Sequence, residues 1–137
     1  MRAAILTISD SCAQGVAEDL TGPALRNALA EAGADVVGIE VIPDEKEMIQ
    51  AELVRLSDQV GADVVITNGG TGLGPRDVTP EATEAVLERR APGLAEAMRT
   101  GSLVHTPTAM LSRGTAGLRG TTLIVNLPGS PRGATEC

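Results

Sequence analysis

A single α/β domain, with helices on both faces of a mostly parallel sheet in a three-layer arrangement, is the fold this sequence predicts. Two observations carry that reading. Apolar runs rich in β-branched residues alternate along the chain with segments whose apolar residues recur at helical spacing. Each run is closed by Gly, Pro, Asp or Ser, as the connections of successive strand-helix-strand crossovers require. A chain of 137 residues, 42% of them hydrophobic, fits one domain over residues 1–137 with its own core, not two.

Residues 3–8, AAILTI, form a continuous apolar run that predicts a strand buried on both faces, ended by Ser9 and Asp10. After a polar loop, Pro23 sits in a first helical turn. Leu25, Ala28, Leu29 and Ala32 follow at helical spacing, and Gly33 closes the helix. Residues 35–42 predict the second strand, stopped by Pro43. Asp44 with Glu47 resembles a capping box that opens a helix whose stripe is Ile49, Leu53, Leu56 and Val60. Residues 62–67 predict a third strand running straight into NGGTGLGPRD. Thr79 as cap and Pro80 at the first helical position then start a helix that continues to about residue 90. Residues 92–100 predict a shorter helix and 104–108 an irregular stretch. Residues 121–127 predict the last strand, ended by the turn signal Pro128-Gly129-Ser130-Pro131.

Composition narrows the function. Phe, Tyr and Trp are absent, so no ring can stack on a base, and modules built on aromatic platforms are excluded. With 11 Lys plus Arg against 18 Asp plus Glu, the formal charge is -7, which argues against a nucleic-acid partner. Cys12, Cys137 and the single His105 make neither a disulfide framework nor a zinc site. The opening MRAAILTIS is too short for a signal sequence, and no apolar run reaches membrane-spanning length, so the expectation is a cytoplasmic protein.

In open parallel sheets, ligands bind outside the carboxyl ends of the strands. This sequence sets its unusual residues there four times: Ser9-Asp10, Pro43-Asp44, Asn68 to Gly72, and Pro128 to Pro131. The glycine-rich loop is the strongest feature. Gly69, Gly70, Gly72 and Gly74 permit positive φ and close backbone approach, so consecutive amides can form a nest for an anionic oxygen, with Thr71 adding a hydroxyl. It is neither a Walker A loop nor a G-x-G-x-x-G fingerprint, and read alone it serves equally as a tight connection. Asp10, Asp44 and Asp77 could hold a hard cation, since magnesium needs only one or two carboxylates plus substrate phosphates. Read locally, Asp44 is also a helix cap and Asp77 an Asx-turn residue. Arg76 and Arg113 offer planar donor forks for phosphate, against a plain surface ion pair. Ser112 and Ser130 are hydroxyls near turns, where a local backbone bond is the competing role.

The run from Thr67 to Gly72 and from Arg76 to Ala82, with Ser9-Asp10 early, Pro43-Asp44-Glu45 in the middle and Leu127 to Pro131 late, resembles the MogA/MoaB molybdenum-cofactor family. The same domain occurs in gephyrin and in the plant molybdopterin-inserting proteins, and the likeness covers essentially the whole chain. It implies a molybdopterin-binding domain-like fold. It also implies an Mg2+-dependent molybdopterin adenylyltransferase with ATP and molybdopterin as substrates. By position, Asp44 and Asp77 match the family's paired catalytic aspartates and are assigned to magnesium. Ser9, Asp10, Gly69, Gly70, Thr71, Gly72, Arg76, Ser112 and Arg113 are assigned to substrate and phosphate, and Pro128, Gly129, Ser130 and Pro131 to the nucleotide. The resemblance further implies a homotrimer and a molybdate-inserting partner enzyme. Pro75 to Pro80 favours the MogA-like side. Family members continue past the Pro-Gly-Ser-Pro segment with a full helix and further structure, whereas this chain is expected to stop as that helix begins. The alternatives are a pterin-binding or scaffolding module, MoaB- or gephyrin-like, and a CinA-like ADP-ribose pyrophosphatase.

Overall fold

The computed structural model describes residues 1–136, so Cys137 lies outside it. Six strands form one sheet in the order β2-β1-β3-β6-β5-β4. They are β1 (Arg2–Ile8), β2 (Asp35–Ile42), β3 (Val64–Asn68), β4 (Arg89–Arg90), β5 (Ala116–Arg119) and β6 (Thr122–Leu127). β2, β1, β3 and β6 are mutually parallel, whereas β5 and β4 continue the sheet antiparallel. The helices are α1 (Asp10–Ala13), α2 (Thr21–Glu31), α3 (Lys46–Val54), α4 (Thr79–Val86), α5 (Pro92–Ser102) and α6 (Pro131–Glu136).

The period of two along each strand divides the core between the two faces. Ala4, Leu6 and Ile8 of β1, Val65 of β3 and Ile124 of β6 pack with Ile49 and Leu53 of α3, Leu56, and Ala82 and Val86 of α4. Ile5, Ile66, Val125 and Leu127 point the other way, toward Leu25 and Leu29 of α2, Met98 of α5 and Ala134 of α6. Residues 3–8 are all buried, as a central strand covered on both faces must be. The second face is looser, and an apolar groove of about 360 Å³ lies between Leu25, Leu29, Ile66, Val125 and Thr135. No described helix is long and apolar enough to cross a membrane.

Several sequence expectations need correction. The helix expected to reach residue 90 ends at Val86, because residues 89–90 turn into β4 against β5. Neither of these strands was predicted: β4 is two exposed arginines and β5 only four residues. Residues 104–106 are irregular as expected, but a 3₁₀ turn over Pro107–Leu111 takes the last two residues of the 104–108 stretch. The helix after β2 is extended by a wide π turn over Arg55–Gln59, which carries the apolar stripe through Leu56. Asp44 and Glu47 form no capping box. Glu45 precedes α3 without a side-chain cap bond, because the Asp44 carboxylate is engaged elsewhere. Thr79 is the first residue of α4 and not its cap. The residues that follow the Pro128-Gly129 turn form the short helix α6 over Pro131–Glu136.

Candidate functional site

Because β1, β2, β3 and β6 are parallel, their carboxyl ends converge on one edge, and a cavity of about 390 Å³ opens there. Its walls include Ser9 after β1, Asp44 after β2, Gly69, Gly70 and Asp77 after β3, and Gly129 and Pro131 after β6. These are contributions from all four expected strand ends.

The ends of β1 and β2 clasp each other. The Asp10 N–H donates to Asp44 Oδ2 (2.9 Å) and the Asp44 N–H donates to Asp10 Oδ1 (3.0 Å). Ser9 Oγ accepts the Cys12 N–H and caps α1. Arg76 donates through Nε and Nη2 to the two oxygens of Asp10 and through Nη2 to Glu45. That guanidinium holds the Asp10 carboxyl below its ordinary value, helped by the Asp44 backbone bond. Asp44 behaves oppositely. Burial pushes its carboxyl up, and although the Asp10 backbone bond works the other way, the charges of Asp10 and Asp77 add to the rise.

The glycine loop is shaped by contact. Gly69 and Gly70 have φ of 98° and 69°. A Cβ on Gly69 would lie 2.2 Å from the Ile8 carbonyl oxygen, and one on Gly70 would lie 2.2 Å from Thr79 Oγ1 and 3.0 Å from Asp44 Oδ1. Only glycine fits either place. The Gly69 N–H is spent on the Leu127 carbonyl, and the Gly74 N–H on Asp77 Oδ2 (2.9 Å). No described backbone or side-chain acceptor takes the N–H of Gly70, Thr71 or Gly72, which leaves three consecutive donors for an anion.

Asp44 and Asp77 each give Oδ2 to a backbone N–H, while no described residue donates to either Oδ1. Two unspent carboxylate oxygens on crowded, mutually repelling groups suit a hard cation that takes its remaining ligands from water and phosphate. Among the described residues there is no group of three His, Cys, Asp or Glu placed to hold a metal, so substrate oxygens would have to complete such a shell. Thr79 Oγ1, fully buried and without a hydrogen-bond partner, abuts Gly70 at the same corner.

Other expected residues fall elsewhere. Ser112 does not border the cavity of the aspartates and lines a smaller one with Ala109, Pro128 and Ser130. Ser130 Oγ accepts the Gly133 N–H inside the first turn of α6. Gly129 packs against the loop, where a Cβ would come within 3.3 Å of the Gly69 Cα. Arg113 is turned toward the protein. Its Nε donates to the Gly72 carbonyl (2.8 Å), Nη2 to the Asp77 carbonyl (2.7 Å) and Nη1 to Glu81.

One further wall of the cavity was marked in the sequence only by Asn68, the first residue of the glycine-loop run. Asn68 Nδ2 donates to Thr7 Oγ1 (3.0 Å), and Thr7 in turn donates to Asp19 Oδ2 (2.9 Å). Asp19 Oδ1 accepts the Gly22 N–H in the first turn of α2, and Thr21 Oγ1 donates to the Gly129 carbonyl (2.8 Å). The available signals were a lone threonine closing an apolar strand and an aspartate three residues ahead of a glycine that opens a helix.

Comparison with known proteins points in one direction. The family described as "Probable molybdopterin binding domain" matches residues 4–137. A molybdopterin adenylyltransferase of Helicobacter pylori is 43% identical over 135 residues, covering 97% of this chain and 77% of that protein. The protein of the same name from Escherichia coli K12 is 43% identical over 138 residues, covering 99% of this chain and 71% of its own length. The crystal structure of the molybdopterin biosynthesis enzyme MoaB from Thermus thermophilus superposes with a TM-score of 0.93 at 53% identity, covering 98% of this chain and 85% of that one.

Proposed function

The chain belongs to the molybdopterin-binding domain family, and from that premise we propose that it is a molybdopterin adenylyltransferase of molybdenum cofactor biosynthesis. In the reaction, an oxygen of the terminal phosphate of molybdopterin forms a bond to the α-phosphorus of ATP. The bond from that phosphorus to the departing pyrophosphate breaks, giving adenylyl-molybdopterin and pyrophosphate. The observation that supports this reading is the single cavity in which Asp44, Asp77 and Gly70 meet at the carboxyl edge of the parallel strands.

The chemistry brings two polyanions together in line on a chain of formal charge -7. Asp44 and Asp77 are the residues that would hold magnesium, which when bound supplies the positive charge that screens the phosphates. The N–H groups of Gly70, Thr71 and Gly72, which no described acceptor takes, would donate to a phosphate oxygen, with Gly70 bordering the cavity. Ser9 and Asp10 shape the wall beside Asp44. Gly129 and Pro131 border the same cavity on the nucleotide side, with Pro128 and Ser130 turned toward the chamber of Ser112, which takes the pterin side. Arg76 holds the Asp10 wall and offers the phosphates a nearby cation. The family likeness extends the reading to a cytoplasmic homotrimer that passes its product to a molybdate-inserting enzyme.

The test is an assay with purified protein, ATP, molybdopterin and magnesium. Pyrophosphate release should require all three additions and should match the AMP transferred. Molybdopterin binding without pyrophosphate release would overturn the enzyme reading in favour of a binding module.

A further inference from the structure

We infer that Arg113 is a positioning residue for Asp77, the central link in a chain of guanidinium-to-carbonyl contacts that runs from α5 to the glycine loop. The inference rests on the adenylyltransferase reading for its kinetic consequence, though its geometry stands apart from that reading. A guanidinium has five N–H donors in a rigid planar fork. Arg113 commits Nε to the Gly72 carbonyl and Nη2 to the Asp77 carbonyl, so one plane spans both ends of the 72–77 turn. Nη1 goes to Glu81 in the first turn of α4. Burial works to raise the Glu81 carboxyl, but the Arg113 guanidinium and the residue's own backbone N–H outweigh it, so the carboxylate stays charged beside its partner.

The Arg113 backbone N–H also donates to the Thr71 carbonyl (2.8 Å), so the residue grips the loop through main chain and side chain together. Its own segment is held from behind. Arg99 Nη1 on α5 donates to the carbonyls of Ser112 (3.3 Å) and Gly114 (2.7 Å), the two residues that flank Arg113. Inside the turn, the Asp77 N–H donates to the Gly74 carbonyl (3.1 Å) and the Gly74 N–H donates back to Asp77 Oδ2. The direction of the Asp77 carboxylate thus depends on a turn whose two ends are set by Arg113. Lysine carries its three N–H donors on one nitrogen and lacks the planar fork that reaches both carbonyls. Because Ser112 adjoins Arg113 and faces the other chamber, the same segment ties the two sides of the site together.

The experiment uses Arg113→Gln, Arg113→Lys and Arg99→Gln in the full chain. Backbone amide hydrogen exchange is read at Gly74 and Asp77, and at Asp10 and Asp44 as the internal reference. Turnover is measured with ATP, molybdopterin and magnesium. Arg113→Gln should speed exchange at Gly74 and Asp77 about tenfold or more, with Asp10 and Asp44 unchanged. It should lower kcat by roughly 10- to 100-fold, move KM for either substrate only about twofold, and raise the magnesium concentration needed for half-maximal rate. Arg113→Lys should behave nearly as badly as Arg113→Gln. Arg99→Gln should shift the same readouts in the same direction by less, and it decides the matter if the Arg113 variants do not fold.

A rise in KM for ATP or molybdopterin with kcat preserved and local exchange unchanged would overturn the inference, since Arg113 would then be touching substrate. Exchange raised evenly over the whole chain would also overturn it, because that marks a general structural role. Absence of turnover in the unsubstituted protein would remove the adenylyltransferase reading alone. The exchange pattern would still decide the brace.

Discussion

At the corner where β1 ends, Asp10 meets the Arg76 guanidinium and is held below the usual carboxylate range. One strand away, at the end of β2, Asp44 meets burial and two other carboxylates and is pushed above it. The two residues bind each other's backbone through near-identical bonds, so neither local geometry nor residue type accounts for the difference. Company does. A carboxylate already answered by a guanidinium belongs to the framework. One left crowded among like charges has a use for a cation, and the contrast separates charge that holds the edge together from charge free to work.

Three substitutions sharpen that contrast, and the largest effect is expected at Asp77. Asp77→Asn keeps an acceptor for the Gly74 N–H while removing the charge. Its adenylylation rate should fall by about 10³-fold or more, with an unchanged far-ultraviolet dichroism spectrum. A rate within tenfold of the original would break the assignment.

Asp44→Asn should cost roughly 10²- to 10³-fold in rate while leaving the Asp10 clasp in place. It carries a second signature. A carboxyl raised in the folded state binds its proton more tightly there than in the unfolded chain, so ionising it works against folding. The penalty is absent below the unfolded value of about 3.9 and grows as pH rises toward the folded value. In metal-free buffer, Asp44→Asn should therefore melt higher than the unsubstituted protein at neutral pH, and the gap should close as pH falls below that value. A gap that widens on acidification would reverse the electrostatic account.

Arg76→Ala should have the smallest effect, roughly threefold to tenfold in rate, because its partners sit at an exposed edge. Its pH signature has the opposite sign. Asp10, lowered in the fold, contributes stability above its unfolded value and loses it as pH falls through its folded value. The melting difference between unsubstituted protein and Arg76→Ala should thus be present at neutral pH and shrink in acid.

What could be read from the chain alone follows from range. β1 was legible because a strand covered on both faces is a continuous apolar run, and β3 because the apolar run of Val64, Val65 and Ile66 leads straight into the glycine loop. β5 was not, because Gly117 lies where a Cβ would come within 2.3 Å of the Arg89 carbonyl oxygen, and that fit depends on a neighbour far along the sequence. The two arginines of β4 read as the charged tail of a helix. Asp44 shows the same limit at the site. Asp-x-x-Glu is a sound local signal for a cap, yet the N–H of Asp10, 34 residues earlier, claims the side chain instead. Arg113 stood out in the sequence as a candidate phosphate donor, and nothing local announced its partners in the fold, which lie 32 to 41 residues away. Ser112 could not be assigned to one chamber or the other without the path of its loop, and the Asp19-Thr7-Asn68 wall is a tertiary relay with no periodic trace.

The core is built from Ile, Leu, Val and Ala, and no aromatic ring borders the cavity. The polypeptide is therefore nearly dark in the near ultraviolet. An adenine or a pterin entering the chamber would be the sole strong chromophore, with no indole or phenol to mask its absorbance or quench its emission. Occupancy of this protein can be followed directly on the guest, with no label and no engineered tryptophan.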